Sequence, residues 1–324
     1  MLKKILLSIA FLLALTSLAF GYLMATSKPK IPELEGQYSR HWLSHDGIDR
    51  SFSVYRPKSL RAGAPLLFVL HGSNGSGEAI RQKTGAEFDT LADQYGMLVV
   101  YPDGYERHWN DCRSSADYLA NTQNIDDVGF IGAIIDQLDD GASIDRRKVF
   151  ATGMSNGGQM VYRLALEAPQ LFAGFSAIAA NLPVDDNLDC SKSGQPVSIA
   201  VFNGTADRLN PYEGGLVSIM GNDSRGVVVS TEQTIGYWRS LANLVGEGET
   251  FVHPETDGND DSGVVETRWL QAGGEQVRLY TLEGSGHVIP SKLRVSPLLA
   301  LVGGAAADIS GPEEIVGFFL SLAE

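Results

Sequence analysis

Short apolar runs alternate with helical patterns along most of this chain, and that alternation limits the possible folds more than any other feature. Most of these runs are continuous, which is typical of strands that are buried on both faces. Strands that alternate with helices predict an α/β fold, with a doubly wound, mostly parallel sheet and helices on both of its faces. The predicted strands are 41–55, as a pair that turns at Asp46 and Gly47, then 65–70, 97–101, 149–153, 174–180, 197–203 and 277–282.

Helix signals occupy the intervals between these strands. Apolar residues recur at three- and four-residue steps in the first of them, which stops at Gly96. Asp126 or Asp127 is placed to cap the second, and Ser310 with Glu313 has the spacing of a capping box before the last. The predicted helices are 86–95, 130–140, 160–169, 234–244 and 312–322.

Residues 1–25 have the layout of an export signal, because the positive segment MLKK precedes an apolar run at 5–24. Ser17-Leu18-Ala19 and Leu23-Met24-Ala25 offer small-residue cleavage sites. The run is also about as long as the ~20 residues that span a bilayer, so an uncleaved membrane anchor is the alternative. Both readings predict an exported protein, periplasmic or extracellular, that touches a membrane only through this segment if it is uncleaved.

The remaining chain is predicted to contain a linker, 26–40, and one catalytic domain, 41–324. A chain of this length often forms a single α/β unit, and a composition of 44% hydrophobic and 20% charged residues suits a large core. The formal net charge of −14 would repel phosphate backbones, so nucleic acid is excluded as an expected partner.

Cys112 and Cys190 are the two cysteines of the chain. Export permits oxidation, and an even cysteine count suits one disulfide bond. A bridge between them would stabilise the fold by ~4.5 kcal/mol in the chain-entropy model. Two unrelated buried thiols are the alternative.

Glycines crowd one serine in the segment FATGMSNGGQM, where Gly153, Gly157 and Gly158 surround Ser155. The pattern G-x-S-x-G between a predicted strand and a predicted helix is typical of a nucleophile elbow. In this elbow a sharp turn lifts the serine out of the sheet, and the glycines avoid collisions between side chains. Ser155 is therefore the predicted nucleophile.

A serine nucleophile needs a base and an orienting carboxylate, which follow it in the order acid, then histidine, in chains of this kind. His287 comes directly after a predicted strand and is favoured over His253, whose alternative role is that of an exposed loop residue. Asp207 also follows a predicted strand and is the favoured acid. Three further aspartates lie between Ser155 and His287 in a polar loop that reads as solvated, namely Asp185, Asp186 and Asp189.

Two backbone N–H groups are predicted to form an oxyanion hole. One belongs to Asn156, the residue after the nucleophile, and the other to Ser73 in the glycine-rich loop after the strand 65–70. His71, in the same loop, is expected to be structural.

Several segments, in order along the chain, resemble the secreted esterase family that includes polyhydroxybutyrate depolymerase-like and feruloyl esterases. They lie between residues 51 and 288 and read LHGSNGSG, LADQYGMLVVYPDG, WNDC, DDVGFI, RRKVFATGMSNGGQMVYRLALEAPQLFAG, FNGTADRLNPYEGG and VRLYTLEGSGH. The resemblance implies an α/β-hydrolase fold with Ser155, Asp207 and His287 as triad and the Ser73 and Asn156 amides as oxyanion hole. It also implies that no cofactor and no metal are required.

The resemblance further implies that Trp109, in WNDC, lies near the pocket mouth and binds substrate, although packing beside Cys112 is an equal alternative. Two departures from the family concern the region after His287. Ile289 takes the place of an aromatic residue, and the segment 291–311 replaces a short connection. This segment is either a flap over the site or a surface segment packed on the core.

Together these features predict a serine esterase that acts on small or oligomeric esters through an acyl-enzyme. The acyl group expected from the resemblance is a feruloyl or acetyl group of a plant polysaccharide, or a hydroxyalkanoate. Acyl transfer and amide cleavage on the same triad are alternatives, as is a non-catalytic binding protein that retains the fold. The acidic stretch 255–263 is expected to be a solvated loop, since it lacks the ligand spacing of a calcium loop.

Overall fold

The computed structural model describes residues 29–142, 144–219, 221–256, 258, 262–293 and 304–323, with only the backbone at 140–142. The predicted leader, 1–25, lies outside the described residues, as do positions 294–303 of the predicted flap. No helix among the described residues has both the length and the apolar character required to cross a bilayer.

Ten strands of the described residues form one mixed sheet in the order β1-β2-β4-β3-β5-β6-β7-β12-β11-β10. A separate pair, β8 and β9, forms a small antiparallel sheet. The strands are β1 Gln37–His45, β2 Ile48–Arg56, β3 Ala64–Leu70, β4 Leu98–Pro102, β5 Ile144–Met154, β6 Gly174–Ile178, β7 Ile199–Gly204, β8 Gly215–Leu216, β9 Val227–Val228, β10 Glu249–Val252, β11 Gly263–Leu270 and β12 Gln276–Glu283.

Helices cover the two faces of this sheet. The α-helices of the described residues are α1 Gly77–Lys83, α2 Glu87–Tyr95, α3 Leu119–Thr122, α4 Asp127–Ala142, α5 Asn156–Glu167, α6 Thr231–Leu241 and α7 Gly311–Ser321. Ser76 caps α1, since its side chain accepts a hydrogen bond from Ala79 N at 3.1 Å, and Ser310 caps α7 in the same way from Glu313 N. The predicted helices all correspond to elements of this set.

The centre of the sheet is parallel from β4 through β3, β5, β6 and β7 to β12. The flanking strands pair antiparallel at both edges. Central strands are buried on both faces, and two hydrophobic clusters lie on opposite faces of the sheet, one around Trp238 and α5, the other around Phe319 and α7. The predicted fold class, a mostly parallel doubly wound α/β sheet, is confirmed.

Several elements differ from the sequence prediction, among them the short helix α3 and the two-residue strands β8 and β9, which were not predicted. β1 begins at Gln37, so residues 37–40 of the predicted linker belong to a strand. α1 was not predicted, and neither was the antiparallel edge formed by β10 and β11. β11 was missed because the charged residue Glu266 points into the protein, where it is completely buried and bonded to Arg268 at 2.6 Å. A charged residue at an inward-facing position interrupts the alternation of apolar and polar residues by which a strand is recognised.

The structure contains the predicted disulfide bond between Cys112 and Cys190. It joins the loop after β4 to the loop after β6, across a sequence separation of 78 residues. Cys112 is completely buried, and both cysteines belong to the hydrophobic cluster on the α5 face. The alternative of two unrelated thiols therefore does not hold.

Candidate active site

Ser155 occupies the sharp turn between β5 and α5. Its backbone angles, φ 58° and ψ −120°, lie in a region that residues other than glycine rarely adopt. The turn is held by a hydrogen bond from Ser155 N to Ile178 O, at the end of β6, at 2.8 Å. The geometry is that of a nucleophile elbow, which projects the side chain from the carboxyl end of the sheet.

The glycines around the serine are required by close backbone contacts. A Cβ atom on Gly157 would lie 2.4 Å from Leu70 O, and one on Gly153 would lie 2.4 Å from Gly157 O. Both distances are far below van der Waals contact. The first turn of α5 therefore packs directly on the end of β3, which brings the loop after β3 beside Ser155.

His287 and Asp207 meet at the same edge of the sheet. Asp207 follows β7 and His287 follows β12, and these two strands are parallel neighbours. His287 Nδ1 lies 2.7 Å from Asp207 Oδ2. The other carboxylate oxygen of Asp207 accepts hydrogen bonds from Leu209 N at 2.8 Å and Asn210 N at 2.9 Å. The carboxylate is thus fixed on both sides, and a proton on Nδ1 leaves Nε2 of the neutral imidazole as an acceptor.

Ser155 stands at the same edge, with β6 between its strand and β7. Among the described residues, no hydrogen bond joins Ser155 Oγ to His287. Hydrogen bonds of catalytic groups are often long without substrate and shorten when substrate binds. The structure therefore brings Asp207 and His287 into contact and places Ser155 on their edge of the sheet.

The loop after β3 lies against the serine. A Cβ atom on Gly72 would be 3.3 Å from Ser155 Cβ and 3.9 Å from Ser155 Oγ. Within the described part of the chain, neither Ser73 N–H nor Asn156 N–H is hydrogen-bonded to an acceptor. Two unoccupied backbone donors next to a hydroxyl group can stabilise negative charge on a carbonyl oxygen that the hydroxyl attacks.

His71 is buried in this loop and serves as a support. Gly104 N donates to its Nε2 at 2.9 Å, and its Nδ1 donates to Gly72 O at 2.8 Å. Burial lowers the pKa of His71 to about 4, so the imidazole is neutral at neutral pH. This arrangement agrees with the expected structural role.

Trp109 is completely buried, and the expectation of a place at the pocket mouth does not fit this position. Its indole Nε1 donates to His71 O at 2.8 Å, and its ring packs against the His71 imidazole with the centroids 4.9 Å apart. A stacking surface for substrate needs an accessible ring face. The packing alternative fits the burial, because the indole fills the space beneath the loop.

His253 also differs from expectation. It directly follows β10 and is mostly buried, with Nε2 at 3.5 Å from a Glu266 oxygen, so it is not an exposed loop residue. Ile289 is buried in the cluster on the α7 face. The three aspartates of the polar loop after β6 are exposed, as expected for a solvated loop, namely Asp185, Asp186 and Asp189.

Two groups of donors in the described residues are compact enough for a metal ion, and neither includes the predicted triad. In the first, Asp126 is already bonded to His45 at 2.9 Å. In the second, Glu266 is bonded to Arg268 through both of its oxygens at 2.6 Å. The groups are His45, Asp46 and Asp126, and His253, Glu266 and Glu314.

Sequence reasoning missed a buried polar cluster behind the elbow. The Asn156 side chain is hydrogen-bonded to Asp111 and Tyr118. Arg113 forms a bidentate salt bridge with Asp111. All four side chains are buried. The signal was available in WNDC and the next arginine, since two charged residues beside a buried tryptophan and cysteine require partners.

Comparisons with known proteins agree with this geometry. Residues 50–183 match the family model described as esterase PHB depolymerase. The chain is 28% identical to the putative esterase NocK of Nocardia uniformis subsp. tsuyamanensis, over 81% of this chain and 76% of the relative. It is 31% identical to the probable feruloyl esterase C of Aspergillus flavus, over 53% of this chain and 60% of the relative.

Two further comparisons concern acetylxylan esterases. The chain is 29% identical to the bifunctional acetylxylan esterase/xylanase XynS20E of Neocallimastix patriciarum, over 52% of this chain and 23% of that relative. The solved acetyl xylan esterase from Aspergillus awamori shares the fold with a TM-score of 0.53 at 16% identity, over 78% of this chain and 95% of that one. On these matches, residues 50–183 are similar to the esterase PHB depolymerase family, the relatives are named as esterases, which are carboxylic ester hydrolases, and the chain has the α/β-hydrolase fold.

Proposed function

We propose that this protein is an exported serine esterase that hydrolyses carboxylic esters through an acyl-serine intermediate. The observation that carries the proposal is the 2.7 Å contact between His287 and Asp207 at the sheet edge where the Ser155 elbow projects. A hydroxyl, an imidazole and a carboxylate at one edge are the groups that nucleophilic acyl transfer requires.

In this mechanism Ser155 Oγ attacks the ester carbonyl carbon while His287 Nε2 accepts its proton. Asp207 holds the Nδ1–H tautomer and stabilises the imidazolium that forms. The imidazolium then protonates the departing alcohol, which leaves an ester of the acyl group on Ser155. A water molecule, deprotonated by His287, attacks this second ester and releases the acid.

The carbonyl oxygen becomes negatively charged in each tetrahedral intermediate. The Ser73 and Asn156 amides, which have no acceptor within the described residues, are the proposed donors to that oxygen. They belong to the loop and the helix end that close contacts at Gly72 and Gly157 bring together. Such preorganised donors strengthen their hydrogen bonds as charge develops.

The acyl group is proposed to be a feruloyl or acetyl group on a polysaccharide, or a hydroxyalkanoate. Support comes from relatives that are named for feruloyl and acetylxylan esters and from the family that is named for PHB depolymerase. Export is supported by the charged and apolar layout of residues 1–25 and by the Cys112–Cys190 bridge, because disulfide bonds persist in oxidising compartments.

A Ser155→Ala variant tests the function. The protein without its predicted leader should hydrolyse nitrophenyl acetate, methyl ferulate and a hydroxybutyrate oligomer at different rates. Ser155→Ala should reduce each of these rates to background. A fluorophosphonate probe should label the wild type at Ser155, as read by peptide mass. The control is Ser44→Ala, at an exposed position of β1, which should react normally. Wild-type turnover by Ser155→Ala would refute the proposal, and product analysis with an added alcohol separates hydrolysis from acyl transfer.

A further inference from the structure

The side chain of Asn156 is bonded to the backbone of Trp109 in both directions. Asn156 Oδ1 accepts from Trp109 N at 2.8 Å, and Asn156 Nδ2 donates to Trp109 O at 3.1 Å. The same Nδ2 lies 2.6 Å from Asp111 Oδ2. Asn156 is 1% exposed. These contacts join the residue after the nucleophile to the loop that follows β4, a strand separated from β5 by β3 in the sheet.

Trp109 is also hydrogen-bonded to the loop that carries Ser73. Its indole Nε1 donates to His71 O at 2.8 Å, and the His71 imidazole is in turn bonded to Gly72 O at 2.8 Å. One residue therefore contacts both halves of the proposed oxyanion hole. Its backbone is hydrogen-bonded to the Asn156 side chain, and its side chain is hydrogen-bonded to His71, two residues before Ser73.

A buried ion pair and the disulfide bond fix the position of this residue. Asp111 accepts from Arg113 Nε at 3.0 Å and from its Nη2 at 2.6 Å, and Tyr118 also donates to Asp111. Burial alone would raise the pKa of Asp111, but the Arg113 guanidinium and these hydrogen bonds hold it below its usual value. Cys112, between the ion-pair partners, is covalently anchored through Cys190.

We propose that Trp109 and Asp111 are positioning residues that set the separation between the Ser73 and Asn156 amides. The inference rests on the proposed esterase function. Donors of an oxyanion hole act at 2.7–3.1 Å from the developing charge, and a misplacement of about 1 Å costs on the order of 100-fold in rate. A rigid connection between the two amides preserves that geometry through the reaction.

Two variants remove this connection from opposite ends. Asn156→Ala keeps the backbone amide and deletes the bonds to Trp109 and Asp111, and kcat should fall on the order of 10- to 100-fold. Trp109→Phe deletes the indole donor to His71 together with part of the buried ring, and kcat should fall about 3- to 10-fold. KM should stay within about two-fold for both, because binding in the ground state uses other contacts.

The matched control is Asn110→Ala in the same segment. The Asn110 side chain donates to Asn124 Oδ1 at 3.2 Å and to Ile125 O at 2.9 Å, and among the described residues it makes no hydrogen bond to Asn156. This variant should lower Tm without changing kcat, which separates a loss of stability from a loss of positioning. Affinity for a boronic acid, which mimics the tetrahedral intermediate, should fall for Asn156→Ala and Trp109→Phe in parallel with kcat and stay unchanged for Asn110→Ala.

The result that overturns the inference is wild-type kcat and boronate affinity in folded Asn156→Ala. If Asn156→Ala does not fold, Trp109→Phe decides by the same two measurements. A failure of the esterase proposal itself looks different, because Ser155→Ala would then retain turnover. With Ser155→Ala inactive and both positioning variants at wild-type kcat, only the present inference falls.

Discussion

His287 Nδ1 lies 2.7 Å from Asp207 Oδ2, and both side chains are nearly removed from solvent, with 10% and 1% exposure. The parallel pairing of β12 with β7 produces this contact, since Thr281 and Leu282 lie opposite Asn203 and Gly204 at the strand ends. A carboxylate in this position orients the imidazole and stabilises its positive charge during acyl transfer.

We expect Asp207→Asn to lower kcat on the order of 10⁴-fold with little change in KM. An amide at this position can donate to Nδ1 and so favour the tautomer in which Nε2 carries the proton and cannot act as a base. The bonds from Leu209 N and Asn210 N to the remaining oxygen should preserve the fold. Steady-state kinetics on a nitrophenyl ester measures the effect. Asp189→Asn, at an exposed position, is the control, and equal kcat in the two variants would contradict the assignment.

Gly157→Ala should destabilise the protein by about 1–3 kcal/mol and lower activity, because the added methyl group would lie 2.4 Å from Leu70 O. Backbone atoms cannot yield without moving β3 or α5. The control is Gly236→Ala in α6, where a Cβ atom meets nothing within 4 Å. That substitution should stabilise the helix by about 0.5–1 kcal/mol. Urea unfolding gives both free energies of unfolding. If Gly157→Ala has the wild-type free energy of unfolding, the close contact between position 157 and Leu70 O is contradicted.

The positions of Ser155, Asp207 and His287 could be predicted because each follows a buried strand that the sequence marks clearly. Carboxyl ends of parallel strands share one edge of a sheet, so chain order and strand pattern place the three residues together. The glycines around Ser155 were informative because the turn that requires them lies within a few residues of the chain.

For the cluster behind the elbow, the sequence indicates that Asp111 and Arg113 need partners, but the strand pattern does not predict which residues those partners are. Asn156 and Asp111 are 45 residues apart, and their contact depends on the path of an irregular loop. For Trp109, the family resemblance implies substrate binding at the pocket mouth and packing beside Cys112 is an equal alternative; only the complete burial of the side chain in the structure favours packing. β11 was missed because Glu266 faces inward with an arginine partner, which no apolar pattern reveals.

Removal of the Cys112–Cys190 bridge by the double substitution to serine should lower the free energy of unfolding by at least about 4.5 kcal/mol, the value expected for the crosslink alone in a closed loop of this length. Denaturant unfolding of the wild type and the double variant gives the difference. Both cysteines are buried in one hydrophobic cluster, so part of the loss comes from two hydroxyl groups there. The reduced wild type, which retains both sulfur atoms, separates this contribution from the loss of the crosslink. Equal stability of the reduced and oxidised wild type would contradict the prediction.

Acid should destabilise the protein partly through His71, because burial lowers the pKa of its imidazole to about 4. The unfolded chain, with a histidine pKa of about 6.5, binds more protons than the folded one between these values. Stability from this group is therefore complete above pH 6.5 and is lost as pH falls towards 4, with about 2 kcal/mol lost between pH 7 and pH 5.

Comparison with His71→Gln isolates this contribution, since glutamine does not titrate. The free energy of unfolding should fall more steeply with acid in the wild type than in the variant. Asp89 acts in the opposite sense in both proteins, because burial raises its pKa to about 6 and its contribution falls as pH rises through that value. It therefore cancels in the difference. If His71→Gln proves too unstable, an NMR titration of the wild-type imidazole replaces it, and protonation of His71 near pH 6.5 would refute the prediction.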